Sequence, residues 1–172
     1  MPRIKIPLML GNAVEILGIV VAISLIVVAP DVNGTLVRFI FYMISWLCLL
    51  FFPHCLTHFI VGRLTGVRFS HYVIGKSSIT KLRLPVVSAV AGVLPLLKLR
   101  IDKRSLTSVS DGGRAATFAS GAVASMILPF LVPVVAFGRL PVAWSLGLIL
   151  LSLANVSFDL YYSPKAGDLS RI

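Results

Sequence analysis

Two histidines, His54 and His58, lie four residues apart in the apolar run 51–61. On a helix, positions i and i+4 share one face and lie one turn apart. Two imidazoles placed in this way can bind one metal ion, as they do in zinc-dependent metalloproteases. The spacing is also common in helices whose histidines bond only to backbone carbonyls or water. The pair is therefore a candidate metal site whose meaning depends on its surroundings.

The composition predicts that those surroundings are a membrane. Hydrophobic residues make up 58% of the 172 residues, charged residues make up 13%, and the mean hydropathy is +0.98. A soluble domain of this length has too little interior to bury so much apolar surface. We therefore expect a single membrane domain over residues 1–172. Polar side chains at membrane depth are costly and usually serve a purpose, which strengthens the case for a site at His54 and His58.

Long apolar runs predict four transmembrane helices, because each run is long enough to cross ~30 Å of hydrocarbon. The runs are 8–29, 36–64, 115–138 and 142–162. The uncharged part of the first run could be a signal-peptide core, but no small-x-small cleavage site follows it, so we expect an uncleaved helix. Glu15, near its start, is expected at the membrane interface. Pro53, Pro129 and Pro133 are expected to kink their helices.

The segment 67–113 has a different pattern. Apolar and basic residues alternate in 97–101 and 81–84, and 67–74 is rich in β-branched and aromatic residues, so all three stretches are predicted strands. The apolar stretch 85–95 is too short to span a bilayer as a helix and is expected to form a re-entrant or interfacial loop. The predicted fold is a helical membrane domain with a small membrane-associated β segment between helices 2 and 3.

The basic residues predict the orientation. The net charge is +10, and the charge is concentrated in 67–113 without the aromatic interleaving of a nucleic-acid surface. We therefore expect the lipid bilayer, and no nucleic acid, as a partner. Four spans place both termini, the middle segment and every Lys and Arg except Arg38 and Arg139 on one side. The positive-inside rule makes that side cytoplasmic and predicts a multi-pass protein with both termini in the cytoplasm.

This topology brings further polar residues to the histidine pair. His54, His58, Asp159 and Asp168 all fall near the cytoplasmic ends of their helices, so we expect one shared site. Asp159 lies within the last apolar run and Asp168 follows a short loop, and either could supply a third metal ligand. His71 lies in a strand-like segment and is expected to be a surface or packing residue.

Four motifs have a recognisable order. His54-Cys-Leu-Thr-His58 leads to the glycine-containing segment 66–75; Gly121-Ala-Val-Ala-Ser125 follows; and Asn155 precedes Asp159 and Asp168. From about residue 46 onward, this order resembles the site-2 protease family of intramembrane zinc metalloproteases. More loosely, it is similar to related zincin membrane peptidases. In that family the motifs are His-Glu-x-x-His, a Gly-Pro-x-x-Asn-like sequence and a final aspartate, often in Leu-Asp-Gly.

The resemblance implies a zinc ion held by His54, His58 and Asp159 or Asp168, and transmembrane segments of other membrane proteins as partners. Cys55, however, replaces the family's glutamate, which takes a proton from the zinc-bound water. Three interpretations follow. The chain is a noncatalytic protein that binds membrane segments as a regulator, or a protease whose other aspartate is the base, or an ion or proton pathway. The catalytic residues stay unassigned.

Overall fold

The computed structural model describes residues 4–75 and 96–171. Within these ranges the helices are α1 (Leu8–Val28), α2 (Thr35–Thr65), α3 (Lys103–Leu106), α4 (Asp111–Ile127), α5 (Leu131–Ala136) and α6 (Val142–Ala166). The strands are β1 (Lys5–Ile6), β2 (Phe69–Gly75) and β3 (Leu96–Ile101). Short 3₁₀ turns cover Ala29–Asp31, Leu128–Phe130 and Asp168–Arg171. The last of these is called the C-terminal turn below.

The prediction of four long apolar helices is confirmed. The helical stretches Leu8–Asp31, Thr35–Thr65, Asp111–Ala136 and Val142–Ser170 are each long and apolar enough to cross a membrane. The third stretch changes to a 3₁₀ turn at Pro129, where proline removes a backbone donor. The second remains helical through Pro53, and there the Thr57 hydroxyl donates to the Pro53 carbonyl at 2.9 Å.

The predicted β segment is present as a small antiparallel sheet in the order β1-β2-β3. Strands β2 and β3 match the predicted stretches 67–74 and 97–101. Strand β1 was not predicted, because two residues are too few to show an alternating pattern. The predicted strand at 81–84 and the predicted loop at 85–95 lie outside the described residues.

The first half of α2 builds the hydrophobic core. Tyr42, Trp46 and Leu49 are buried against residues of α1, α5 and α6. The Trp46 indole Nε1 donates to the Ser152 hydroxyl at 2.9 Å, so its polar atom is satisfied inside the core. This packing fixes the position of the first half of α2 and therefore also of its second half, which carries the histidine pair.

Glycines let α1 lie close to its neighbours. A Cβ atom on Gly11 would come within 2.1 Å of the Tyr72 ring, and one on Gly18 within 2.1 Å of the Phe52 ring. Glu15 lies between these contacts and is only 2% exposed. The membrane depth expected for Glu15 stays a prediction; what the structure adds is that the close contacts at the two glycines enclose its side chain in the protein.

Prediction on the α1 contact. Gly11→Ala should destabilise the protein by about 1–3 kcal/mol, since the added methyl overlaps the fully buried Tyr72 ring. Gly147→Ala is the matched control, because a Cβ there meets nothing within 4 Å and alanine is the better helix former. Thermal unfolding in detergent checks both variants. Equal melting temperatures would contradict the close packing of α1 on β2.

Candidate metal centre

The histidine pair of α2 converges on one carboxylate. The His54 and His58 rings stand edge to face with their centroids 4.8 Å apart. Nε2 of His54 lies 3.0 Å from Oδ2 of Asp168, and Nε2 of His58 lies 3.2 Å from the same oxygen. The three ligand atoms all lie within 4.8 Å of one another, so His54, His58 and Asp168 could hold a metal ion.

The proton on His58 can be assigned from its partners. Its Nδ1 lies 2.6 Å from the backbone carbonyl of Thr117, and a carbonyl only accepts. Nδ1 therefore carries hydrogen and donates it. In the neutral ring Nε2 then bears a lone pair, and it faces an Asp168 oxygen that is also an acceptor. Two facing acceptors repel unless a proton or a metal ion lies between them.

His54 is oriented by the hydroxyl of Ser125. The Ser125 Oγ lies 2.9 Å from His54 Nδ1 and donates to the Gly121 carbonyl at 3.0 Å. Because the hydroxyl has a single hydrogen, this arrangement leaves its oxygen to accept from His54 Nδ1. The Nε2 atom of His54 is then a second lone pair directed at Asp168. Outer-shell hydrogen bonds of this kind fix the tautomer and direction of metal-binding histidines.

Helix α4 is shaped to admit His58. A Cβ on Gly121 would lie 2.2 Å from His58 Nε2, so only glycine leaves space for the imidazole. The Asn155 side chain of α6 donates to the Ser125 carbonyl at 2.9 Å and ties α6 to the same part of α4. Helix α4 therefore supplies the space, the carbonyl and the hydroxyl that position the two rings.

The C-terminal turn brings in the carboxylate. Helix α6 ends at Ala166, and the backbone N–H of Gly167 donates to the Ser163 carbonyl at 3.1 Å. A Cβ on Gly167 would lie 2.7 Å from the Cα of Ser163, so this tight turn needs glycine. The Ser163 hydroxyl accepts from the Leu169 N–H at 3.3 Å. These contacts return the chain toward α2 and present Asp168 to both rings.

The spacing of the ligand atoms is compatible with one shared metal ion. All three atoms lie within 4.8 Å of one another, and the two Nε2–Oδ2 distances are 3.0 and 3.2 Å. Distances of this size also fit a hydrogen bond to a protonated imidazole. The His58 side chain is 11% exposed, whereas those of His54 and Asp168 are 34% and 25% exposed. A fourth ligand could therefore enter from the side of His54 and Asp168.

Only one of the two candidate aspartates lies beside the histidine pair. Asp168 joins the histidine pair, whereas Asp159, in α6, is not part of the group that could hold a metal. Asp159 is half-buried and near enough for the charges of His54 and Asp168 to act on it. His71 lies half-buried on β2, also outside the group.

The supporting roles of Thr117, Gly121 and Ser125 were not predicted, although Gly121 and Ser125 are the two ends of one of the four sequence motifs. All three lie in a stretch of small residues, a composition that lets membrane helices approach closely. Their common feature is the spacing of four residues, which places all three on one face of α4. This spacing does not show what the face contacts; in the structure it lies against the His54 and His58 imidazoles.

Cys55, which follows His54 in the sequence, packs against strand β3. Its side chain is buried, and the thiol donates to the Leu97 carbonyl of β3 at 3.3 Å. His54 and His58 instead contact α4 and the C-terminal turn. The position where the resemblance places a catalytic glutamate is therefore packed against the sheet. Cys48 and Cys55 are both free thiols.

Comparisons with known proteins give no match. No family model, no curated protein and no solved structure is similar to this chain.

Prediction on ring placement. Gly121→Ala should lower the affinity of the candidate site for a divalent metal ion by about 10–100-fold, because the methyl displaces the His58 ring. This is the usual effect of disturbing a supporting contact in a metal site. Gly112→Ala is the control in the same helix, since a Cβ there meets nothing within 4 Å. Zinc titration of both purified variants gives the comparison. Unchanged affinity in Gly121→Ala would show that His58 does not bind the ion from this position.

Proposed function

We propose that the chain is an integral membrane protein that binds zinc at His54, His58 and Asp168 and recognises membrane segments of other proteins without cleaving them. The observation that carries this proposal is the convergence of two imidazole Nε2 atoms on one carboxylate oxygen. The proposal has three parts: the membrane, the metal and the absence of catalysis.

The exposed faces of the long helices support a membrane location. Large apolar side chains face outward, including Met9, Leu17 and Val27 on α1 and Leu150 and Leu160 on α6. A water-soluble monomer rarely exposes so extensive an apolar surface. The sequence topology puts most Lys and Arg residues on one side of the spans, and on the positive-inside rule we propose that this side, with both termini, is cytoplasmic.

The ligand chemistry favours zinc. Two imidazole nitrogens and one carboxylate oxygen form a mixed N and O set, which zinc binds in tetrahedral geometry. Three protein ligands leave a fourth position for water or another donor. When bound, zinc would act as a Lewis acid on that fourth ligand. The contacts from Thr117 and Ser125 would keep both Nε2 atoms available for the ion.

The surroundings of Cys55 support the absence of catalysis. A zinc hydrolase needs a general base beside the metal-bound water, and losing one typically costs about 10²–10⁴ in rate. Cys55 donates its hydrogen to Leu97 and lies against β3, so it offers no base at the open position. A scaffold that keeps the metal ligands but lacks the base suits a binding or regulatory role.

The order of motifs supports membrane segments as the partners. It resembles that of the site-2 protease family, whose members act on transmembrane helices. In this proposal the zinc stabilises the arrangement of α2, α4 and the C-terminal turn, and the partner is an apolar helix. The resemblance rests on motif order and on the convergence of the ligands.

A second candidate is an active protease with Asp159 as its base. The observation in its favour is that Asp159 is half-buried on α6 and near enough for the charge of Asp168 to act on its carboxyl. In this alternative Asp168 would hold the ion, and Asp159 would supply the general base. Asp159→Asn should then abolish cleavage of a reporter transmembrane helix while zinc content stays unchanged. In the noncatalytic proposal, wild type and Asp159→Asn are equally inactive.

Prediction on metal content. Detergent-purified wild type should contain about one zinc per chain, and His54→Ala and Asp168→Asn should each lose most of it, because a two-ligand site is weak. His71→Ala is the control, since His71 lies outside the group. Binding should also weaken at acid pH, because protons compete with zinc for the lone pairs of its ligands. Elemental analysis with pH-dependent zinc titration measures all four proteins, and equal zinc in each would refute the site.

Prediction on the missing base. Cys55→Glu should give measurable cleavage of a destabilised reporter helix if Cys55 is the only departure that prevents catalysis. The glutamate side chain is longer than that of cysteine, so its carboxylate could extend from β3 toward the metal ligands and act as the base. Cys55→Gln is the control of equal size without a base, and Cys55→Glu with His58→Ala should be inactive again. Wild type that cleaves as fast as Cys55→Glu would contradict the noncatalytic proposal.

A further inference from the structure

Glu15 is a buried carboxyl that the metal centre does not use. It is the only glutamate in the chain, and it is 2% exposed in the third turn of α1. Among residues 4–75 and 96–171, no group makes a hydrogen bond to its buried Oε2 atom. Burying an ionised carboxylate without a partner is very costly, so some feature of this position must neutralise it.

The space around Glu15 is closed on both sides. The buried residues of α1 are Gly11, Glu15, Gly18 and Ala22, which form one stripe along the helix. The Tyr72 ring lies against Gly11 and the Phe52 ring lies against Gly18. Glu15 therefore occupies a turn of α1 between two closely packed aromatic rings, and this leaves little room for a hydrated ion.

The two polar groups near Glu15 already donate their hydrogens to other acceptors. Cys55 of α2 and Tyr72 of β2 both interact electrostatically with Glu15, and on β3 Lys98 acts on the Cys55 thiol. The Cys55 thiol donates to the Leu97 carbonyl, and the Tyr72 hydroxyl donates to Asn12 Oδ1 at 2.8 Å. Burial raises the pKa of the Tyr72 phenol, which keeps it as a neutral donor. Neither group therefore has a hydrogen left for Glu15.

These contacts also argue against a metal ion at Glu15. Hard cations such as sodium, magnesium or calcium need several oxygen ligands around them. The oxygens bonded to the polar neighbours of Glu15, Tyr72 and Cys55, are Asn12 Oδ1 and the Leu97 carbonyl, and each already accepts one hydrogen bond. A proton needs only one carboxylate oxygen and adds almost no volume. It is the ligand that this closed, apolar position can accommodate.

We propose that Glu15 is a proton-binding site, at which a neutral carboxylic acid closes the contact of α1 with α2 and β2 and loss of the proton opens it. The ionised form would be an unpaired charge beside the Tyr72 and Phe52 rings, and the simplest relief is for α1 to move away and admit water. The site is independent of the proposed zinc site, because Glu15 supplies none of its ligands.

The uniqueness of Glu15 allows a direct test in the unmodified protein. Glutamate labelled with ¹³C at its carboxyl carbon, incorporated by cell-free synthesis, reports on this residue alone. In liposomes at pH 7, solid-state NMR should give the chemical shift of a neutral acid, and the signal should move to that of a carboxylate at alkaline pH. A carboxylate signal at pH 7 would overturn the proposal, and so would a signal that depends on added sodium, magnesium or calcium.

A second measurement tests the opening. Cys55 is buried beside this contact, so alkaline pH should increase its labelling by a maleimide several-fold in a Cys48→Ser background. Glu15→Gln, which imitates the neutral acid, provides the control, because it should show only the smaller rise due to thiol ionisation. Equal rises in the two proteins would refute the opening of α1. Should Glu15→Gln fail to fold, the NMR titration of wild type still decides whether Glu15 binds a proton.

Discussion

The structure of the site depends on one constraint: three hydrogen-bond acceptors, the Nε2 atoms of His54 and His58 and the Oδ2 atom of Asp168, lie close together. The Thr117 carbonyl fixes the hydrogen of His58 on Nδ1, so its Nε2 lone pair faces the Asp168 oxygen. His54, held by Ser125, faces the same oxygen. Such an arrangement is favourable only with a cation at its centre, either a proton on an imidazole or a metal ion. The metal interpretation follows from this requirement together with the ligand spacing.

The other elements of the fold hold His54, His58 and Asp168 in this arrangement. Helix α2 carries both histidines and is anchored at its other end by the core around Trp46. Helix α4 approaches closely because Gly121 has no side chain, and the turn at Gly167 returns Asp168 to the rings. A bilayer would leave the outer apolar faces exposed to lipid and confine polar groups to this inner region. Stability and metal binding would then depend on the same glycine contacts.

The sequence predicted the long elements well, because hydropathy and period-2 alternation are strong signals over many residues. It also placed His54 and His58 together through helical spacing. It could not choose between Asp159 and Asp168, since the choice depends on a turn at Gly167 that closes only against Ser163. The burial of Glu15 within the protein was not predicted for a related reason. It follows from contacts of Gly11 and Gly18 with aromatic rings distant in sequence, and these leave no local pattern.

X-ray absorption spectroscopy at the zinc edge tests the central claim most directly, because it reports the atoms bound to the ion. For zinc-loaded wild type, the account predicts two imidazole nitrogens and one carboxylate oxygen at about 2.0–2.2 Å. The spectrum should lose the scattering of one imidazole in His58→Ala. A spectrum without imidazole scattering, or one that is the same in wild type and His58→Ala, would contradict the assignment of His54, His58 and Asp168 as the metal site.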